Sequence, residues 1–430
     1  MSLPPGPRLP SPLQLVGLFG RTVPYLDRCL ERYGTVFTIR LPRTAPMVYL
    51  AEPELIKAVW ARDRVNGLPA GRRIVLEPLL GPRSVLIQEG GEHLRRRRLM
   101  LPPFHGERMR RYGSLMEEIV LRDVERWPVG KPFALLPRMQ AITLDVILRT
   151  VFGTRAGTRE DALRIELADV LRRTASASAQ VSVLLAEQLG QKVTPFHRAV
   201  RCVDALIHEE LRERRRAPDL AERDDIASML MTAHDEDGNP LTDDELRDQL
   251  VTLLAAGHET TATALSWTFD ALFRNPDVRE RLERSLPDGD AYADAVVEEA
   301  MRIRPTVPDV GRTLGEPLTA NGYELPAGTD VFASVQLLHR RADLFPEPAA
   351  FRPERFLDGS PSTYAWIPFG GGMRRCLGAA FAQFEMRNVL RTVLEHTRLE
   401  PATGRAEPID RNPVTLVPRH GTPAVLVGRS

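Results

Sequence analysis

The chain has 430 residues, 43% of them apolar, and 58 basic against 57 acidic residues for a formal net charge of +1. That is enough to bury a large core, and the charge balance gives no global argument for a nucleic-acid partner. Cysteines at 29, 202 and 376 make no disulfide framework and point to a reducing, cytoplasmic setting, and no histidines pair at i, i+3 or i, i+4 to suggest zinc.

In chain order, residues 1–20 read as an extended proline-rich arm, too broken by proline for a signal sequence. Thr35–Arg40 and Met47–Leu50 alternate in polarity and predict a small sheet. From about 53 to 300 the periodicity is helical. The exceptions are a Gly/Pro-punctuated loop over 65–90 and a loop-like stretch around Ser176–Ser182. The apolar run Val181–Leu185 suits contact with a membrane surface, but no stretch approaches the ~18 apolar residues of a spanning helix.

Thr242-Asp-Asp-Glu245 is a capping box, and the helical pattern it opens runs without proline to Arg274, where Asn275-Pro276 ends it. A helix of roughly 30 residues is about 45 Å long, enough to run through the centre of the molecule. A further helix covers about 290–304 and stops at Pro305. Strand-like pieces occupy 310–335, an irregular segment 340–375, a last helix 377–398, and strand patterning returns at Val414–Val427. The expected fold class is mainly α with small β-sheets (α+β). One domain over 21–430 follows the arm, its β parts at about 30–60, 305–335 and 400–430 and its helical parts at about 60–304 and 377–398.

Cys376 carries the most chemical information. It lies in Phe369-Gly-Gly-Gly372-Met-Arg374-Arg375-Cys376-Leu-Gly378, a glycine-rich turn running into a helical pattern. The helix N-terminus and two arginines favour a thiolate there, and the glycines let a large flat ligand come close. A soft anionic donor in that setting suits an axial site on a haem iron. Phe369-x-x-Gly372-x-Arg374-x-Cys376-x-Gly378 resembles the haem-thiolate signature of the cytochromes P450, complete at every defining position, and three further motifs follow the family's order over almost the whole chain.

One is Ala256-Gly257-His258-Glu259-Thr260-Thr261, inside the long helix. Leu253, Ala256, Gly257, Thr260 and Ala264 share a helical face whose small side chains would let a flat cofactor and a diatomic ligand approach the backbone. Glu259 beside the Thr260 hydroxyl offers a proton relay. Read alone, the same residues would also make a packing seam with a solvated glutamate; the segment resembles the family's oxygen-activation motif. His258 is expected to pack or lie at the surface.

The resemblance also implies a buried structural triad of Glu299 and Arg302, from Glu299-Ala-Met-Arg302, with Arg355 of Pro353-Glu-Arg355-Phe356. It implies haem b (iron protoporphyrin IX) as cofactor, with Cys376 on the iron. Cofactor contacts would come from His93, Arg97, Ala256, Gly257, Arg312, Phe369, Gly372, Arg374 and Gly378, the cations among them holding the propionates. The run Arg95–Arg98, with Arg108, Arg110, Arg111 and Arg375, is expected to double as a docking surface for an acidic electron carrier.

No flavin or nicotinamide motif is present, so electrons are expected from a ferredoxin or flavodoxin with its reductase. The reaction implied is insertion of one oxygen atom from O2 into a lipophilic small molecule by a monomeric monooxygenase. Val85, Leu86, Leu253, Val307 and Val310 are the apolar pocket candidates, with regions 65–90 and 170–200 contributing; Asp309 is a polar exception, a substrate contact or a loop-capping or solvated carboxylate. Three alternatives stand beside this reading: a peroxide-driven or rearranging haem-thiolate enzyme, a non-catalytic haem gas sensor, and a thiol enzyme with Cys376 as nucleophile. No His/Asn or His/Asp partner pattern supports the last.

Overall fold

The computed structural model describes residues 3–61, 76–104, 108–153, 162–166, 169–170, 195–357, 359, 361–412 and 414–429. The chain forms two compact units. The first comprises Met1–Pro69, Met116–Gln140 and Thr260–Ser430; the second comprises Ala70–Leu115 and Ala141–Glu259. The stretch around Ser176–Ser182, the run Val181–Leu185 and residues 65–75 of the predicted 65–90 loop lie outside the described residues.

The helices in chain order are α1 (Ser11–Gly20), α2 (Thr22–Tyr33), α3 (Pro53–Ala61), α4 (Gly90–Met100), α5 (Arg108–Val124), α6 (Leu135–Phe152), α7 (Pro195–Arg216), α8 (Ile226–Thr232), α9 (Asp243–Arg274), α10 (Pro276–Ser285), α11 (Ala291–Ile303), α12 (Val335–Leu338) and α13 (Ala379–His396). The strands are β1 (Val36–Ile39), β2 (Met47–Leu50), β3 (Pro132–Ala134), β4 (Asp309–Thr313), β5 (Leu318–Ala320), β6 (Tyr323–Leu325), β7 (Asp330–Ser334), β8 (Thr397–Pro401), β9 (Ile409–Arg411), β10 (Leu416–Pro418) and β11 (Pro423–Arg429).

In the first unit the largest sheet runs β1-β2-β7-β4, with β2 parallel to β7 and the other pairs antiparallel. Alternation along the strands sends Val36, Val48, Leu50 and Val331 into one core with Ile56 and Trp60 of α3. Phe37, Tyr49 and Phe332 go to the opposite face, where they stack at 5.6 and 5.5 Å against a core that includes Leu18 and Leu26. Both faces are therefore covered, and every residue of β1 and β2 is buried.

The N-terminal segment corrects the expected arm. Only its first residues are extended, and they lie along β1, with Thr38 N donating to Pro5 O at 2.9 Å and Thr38 Oγ1 to Pro4 O at 2.7 Å. Ser11–Gly20 is helical because Pro10 and Pro12 fall at its start, where a missing N–H costs nothing and a fixed φ suits the first turn. Buried Gln14 secures the junction by donating to Pro7 O and Leu9 O at 3.0 and 2.7 Å and accepting from Arg40 N at 2.9 Å.

In the second unit the capping box forms reciprocally: Glu245 N donates to Thr242 Oγ1 at 3.2 Å and Thr242 N to Glu245 Oε2 at 2.9 Å. The next turns of α9 pin the segment before α4. Arg83 N donates to Asp248 Oδ2 and Val85 N to Gln249 Oε1, both at 2.8 Å, and the Ser84 and Thr252 hydroxyls meet at 2.7 Å. Gly81 makes this approach possible: its φ is +83°, and a Cβ would lie 2.1 Å from Asp248 Oδ1. The end of the predicted 65–90 loop is thus a fixed strap.

Candidate active site

The cysteine loop lies wholly in the first unit. Gly370 and Gly372 have φ of +66° and +65°, the left-handed turns that only glycine makes without strain. The loop closes with Cys376 N donating to Phe369 O at 3.0 Å and Arg375 N to Gly372 O at 3.2 Å. Gly371 lies on the indole of Trp60, whose ring would be 2.3 Å from an added Cβ. Cys376 is exposed, two residues before Gly378, the N-cap of α13, whose first turn carries no acid. The start of α13 and the flanking Arg374 and Arg375 put positive charge near this cysteine. Gly378 has an ordinary φ of −88°; its contribution is open space, since no atom lies within 4 Å of the Cβ it lacks.

A buried polar lock holds the irregular segment that leads to this loop. Glu299 and Arg302, both 0% exposed, form a two-pronged pair at 2.6 and 2.8 Å. Glu299 Oε1 also accepts from Arg352 N at 2.8 Å and Arg355 Nε at 3.3 Å. Arg302 donates onward to the carbonyls of His339, Pro348 and Ala350. Edge-on aromatic contacts then run from Phe356 to Trp366 at 5.5 Å and from Trp366 to Phe369 at 6.3 Å.

His339 is a member of this lock that the motifs do not reveal. Its Nε2 accepts from Ile367 N at 2.9 Å, two residues ahead of Phe369, and accepting requires the neutral ring. Burial first, and the Arg302 charge second, push its pKa down to about 3. The folded value lies below the ordinary 6.5, so the unfolded chain takes up the proton first. The stability this neutral ring confers is complete above pH 6.5 and is lost as pH falls from 6.5 towards 3. His339→Gln keeps an acceptor that does not titrate, so its melting temperature should fall less steeply over that window in calorimetry. Parallel curves for the two proteins would refute the role.

On α9, every residue from Glu245 to Asp270 is buried except Leu253, Ala255, Ala256, Gly257, Glu259 and Thr260. Between the two ends of the helix, accessibility is confined to this one short stretch, and it includes the predicted face apart from Ala264. The unit boundary falls inside the stretch, between Glu259 and Thr260. Thr143 of α6 donates to His258 O at 3.0 Å, a tie to the carbonyl ahead of Glu259. Gly257 packs against a neighbouring helix. The space its missing Cβ leaves is taken by Ile147, whose Cδ1 is 3.2 Å from that position, so this glycine lets α6 pack closely against α9. His258 is buried, as a packing residue would be.

The predicted cations separate by environment. Buried His93 has Nδ1 2.8 Å from Val85 O, which ties α4 to the strap; Arg97, one turn on, is half-buried. Arg312 is buried on β4 and donates to Gly311 O at 2.9 Å. The other arginines of α4 do not form the open cationic patch expected of a docking surface. Arg95 pairs with Asp235 and Glu245, Arg96 with Glu92 and Glu245, and Arg98 with Glu236. Arg111 pairs with Asp224. Apart from Glu92, the acids lie 113 to 150 residues downstream of their partners, so no local motif places them beside these arginines. The side chains of Arg108 and Arg110 lie outside the described residues, and Arg375 is exposed.

Among the pocket candidates, Val85 is buried, Leu86 is exposed, and Leu253, Val307 and Val310 are intermediate. Val310 lies 3.8 Å from the Cβ position of Gly370, beside the cysteine loop. Strand alternation puts Arg312 on the same side of β4 and sends Asp309 to the other. There Asp309 is fully buried and accepts from Arg411 Nη2 at 2.9 Å. It is neither a solvated loop residue nor on the face that Val310 presents to the loop.

These residues fit a haem unit by unit: a soft donor at an accessible helix start with cations near it in sequence, and an accessible stretch of small side chains on α9. The family model described as Cytochrome P450 matches residues 4–425. The putative cytochrome P450 135B1 of Mycobacterium tuberculosis is 42% identical over 98% of this chain and 90% of its own length. The putative cytochrome P450 137 of the same species is 36% identical over 92% of this chain and 83% of its own length. The solved structure of retinoic acid bound cyanobacterial CYP120A1 superposes with a TM-score of 0.84 at 25% identity, covering 99% of both chains. No helix among the described residues is long and apolar enough to cross a membrane.

Proposed function

The chain belongs to the cytochrome P450 family, and we propose that within it this protein inserts one oxygen atom from O2 into a lipophilic small molecule, by hydroxylation or epoxidation, with electrons from a separate ferredoxin or flavodoxin and its reductase. Membership makes it a haem b-dependent oxidoreductase of the monooxygenase type. The bound haem supplies oxygen activation and the oxidising power. The protein's own residues supply ligation, geometry, proton delivery and exclusion of water.

The observation that carries the proposal is the accessible stretch of α9, where a hydroxyl and a carboxylate, Thr260 and Glu259, are adjacent in the otherwise buried middle of the helix. Cys376 would hold the haem iron through its sulfur. His93, Arg97, Arg312 and Arg374 would donate to the haem propionates, and Phe369, Gly372 and Gly378 would shape the loop that receives the haem. Thr260 holds and orients a proton-bearing water, and Glu259 passes protons to it. Val85, Leu86, Leu253, Val307 and Val310 are apolar, which favours a terpenoid, fatty acid, steroid or polyketide. The retinoic acid in the cyanobacterial structure is also lipophilic and supports that class.

The test begins with lipophilic compounds that shift the holoenzyme's spin state, followed by turnover with a ferredoxin and its reductase. With the wild type, product should account for most of the reductant consumed. Thr260→Ala should bind the same compounds yet release hydrogen peroxide, with product per electron falling by about a hundredfold, the low end of what a positioned proton donor contributes. Full coupling in Thr260→Ala would move the relay elsewhere. Failure of every compound to yield an oxygenated product would reject the reaction class.

A further inference from the structure

The first unit contains a cavity of about 460 Å³ at the start of α2, within the ~300–1,000 Å³ range of small-molecule sites. Its charged wall consists of Arg21, Arg304, Arg340, Arg411, Arg419 and Glu407. Three of the arginines have carboxylate partners: Arg340 with Asp27 at 3.1 Å, Arg411 with Asp309 at 2.9 Å and Arg419 with Asp410 at 3.7 Å. Glu407 is engaged by His420, through its backbone N–H and with its ring at 3.5 Å. Among the described residues, Arg21 and Arg304 have no carboxylate within ion-pair distance.

Two guanidinium groups keep donors in reserve. Arg411 has a side chain only 4% exposed and lies over the Phe19 ring at 4.9 Å. Its Nη2 serves Asp309, while Nε and Nη1 are buried with no acceptor among the described residues. Arg304 lies over the Trp267 ring at 5.6 Å; its Nε is likewise buried without an acceptor, and its Nη1 reaches only Ile303 O at 3.4 Å. Burying guanidinium donors without acceptors is costly unless a ligand supplies them. The same wall includes the first turn of α2, which has no side-chain cap and no acidic residue, so the positive end of a 12-residue helix faces the cavity too.

We propose that this cavity is a binding site for a phosphate group, held by Arg304 and Arg411 against the N-terminus of α2 and closed on the outer side by Arg21. The phosphate is either free in solution or carried on a lipid headgroup, because Leu13 and Val16 of α1, the helix whose end forms part of the wall, are 53% and 66% exposed. The site does not depend on the oxygenation chemistry.

The test uses the haem-loaded protein and titration calorimetry with inorganic phosphate against chloride at matched ionic strength. Wild type should bind phosphate. Arg304→Gln should weaken it by about tenfold or more, as expected when a charge-assisted contact is lost. Arg21→Gln, at an exposed position that cannot disturb the core, should weaken it by roughly threefold, the scale of a partly screened contact. The reduced, CO-bound spectrum checks that each variant is folded; if Arg304→Gln does not load haem, Arg21→Gln decides. Sedimentation with phosphatidylglycerol vesicles, lost in the variant and competed by phosphate, assigns the group to lipid; binding in solution without sedimentation assigns it to a soluble ligand. A wild type that binds neither, or variants that bind as wild type does, would overturn the site.

Discussion

Cys376→Ser should abolish the thiolate signature and reduce substrate oxidation by about a thousandfold or more, a barrier increase of ~4 kcal/mol. Serine is nearly isosteric, and the turn is held by the backbone of residue 376, through Cys376 N to Phe369 O, so the loop should keep its shape. The donor changes: a serine hydroxyl stays protonated where a thiol ionises, and a hard oxygen does not push electron density onto iron as a soft sulfur does. The measurement is the reduced, CO-bound spectrum, in which the red-shifted Soret band of thiolate ligation should disappear while total haem content falls less. A variant that retained that band would place the axial ligand at another residue.

Glu299→Ala is the largest effect expected away from the haem. Glu299 is 0% exposed and accepts from Arg302, Arg352 N and Arg355, and Arg302 is also 0% exposed. Its loss strands a buried guanidinium and two further donors. Removing one member of such a pair costs ~3–5 kcal/mol, against a net stability of ~5–15 kcal/mol for a typical domain. The segment released is the one that carries Trp366, Phe369 and the cysteine loop, so the expected outcome is failure to retain haem, read as the haem-to-protein absorbance ratio after purification. Glu299→Ala combined with Arg302→Met removes the stranded charge and should recover part of the loss. If Glu299→Ala loads haem normally and melts with the wild type, the triad does not hold the loop.

Much of this organisation was written locally. The long helix was legible because its start signal, Thr242 to Glu245, and its stop, Asn275-Pro276, lie within a few residues of the bonds they make. The cysteine loop was legible for the same reason, as glycine spacing and a following helix are properties of ten consecutive residues. The N-terminal arm was misread because proline opposes a helix interior but suits a helix start, and which applies depended on Gln14 reaching Arg40 of another segment. The arginine run of α4 was misread as open charge because its partners are far along the chain.

From its residues alone the chain specified a cysteine in a glycine-rich turn before a helix, the helix that carries an acid and an alcohol side by side, and the acid–base motif that ties down the segment ahead of that turn. Those are encoded by near neighbours and by backbone conformations that only certain residues adopt. Folding settled what depends on distant partners: that His339 must stay neutral to hold Ile367, that Gly257 makes room for Ile147, that Asp309 turns away from the loop to meet Arg411, and that Arg304 and Arg411 share one cavity wall. Burial and ion pairing are sums over the whole neighbourhood of a side chain, and a linear pattern contains only the part of that neighbourhood contributed by its own segment.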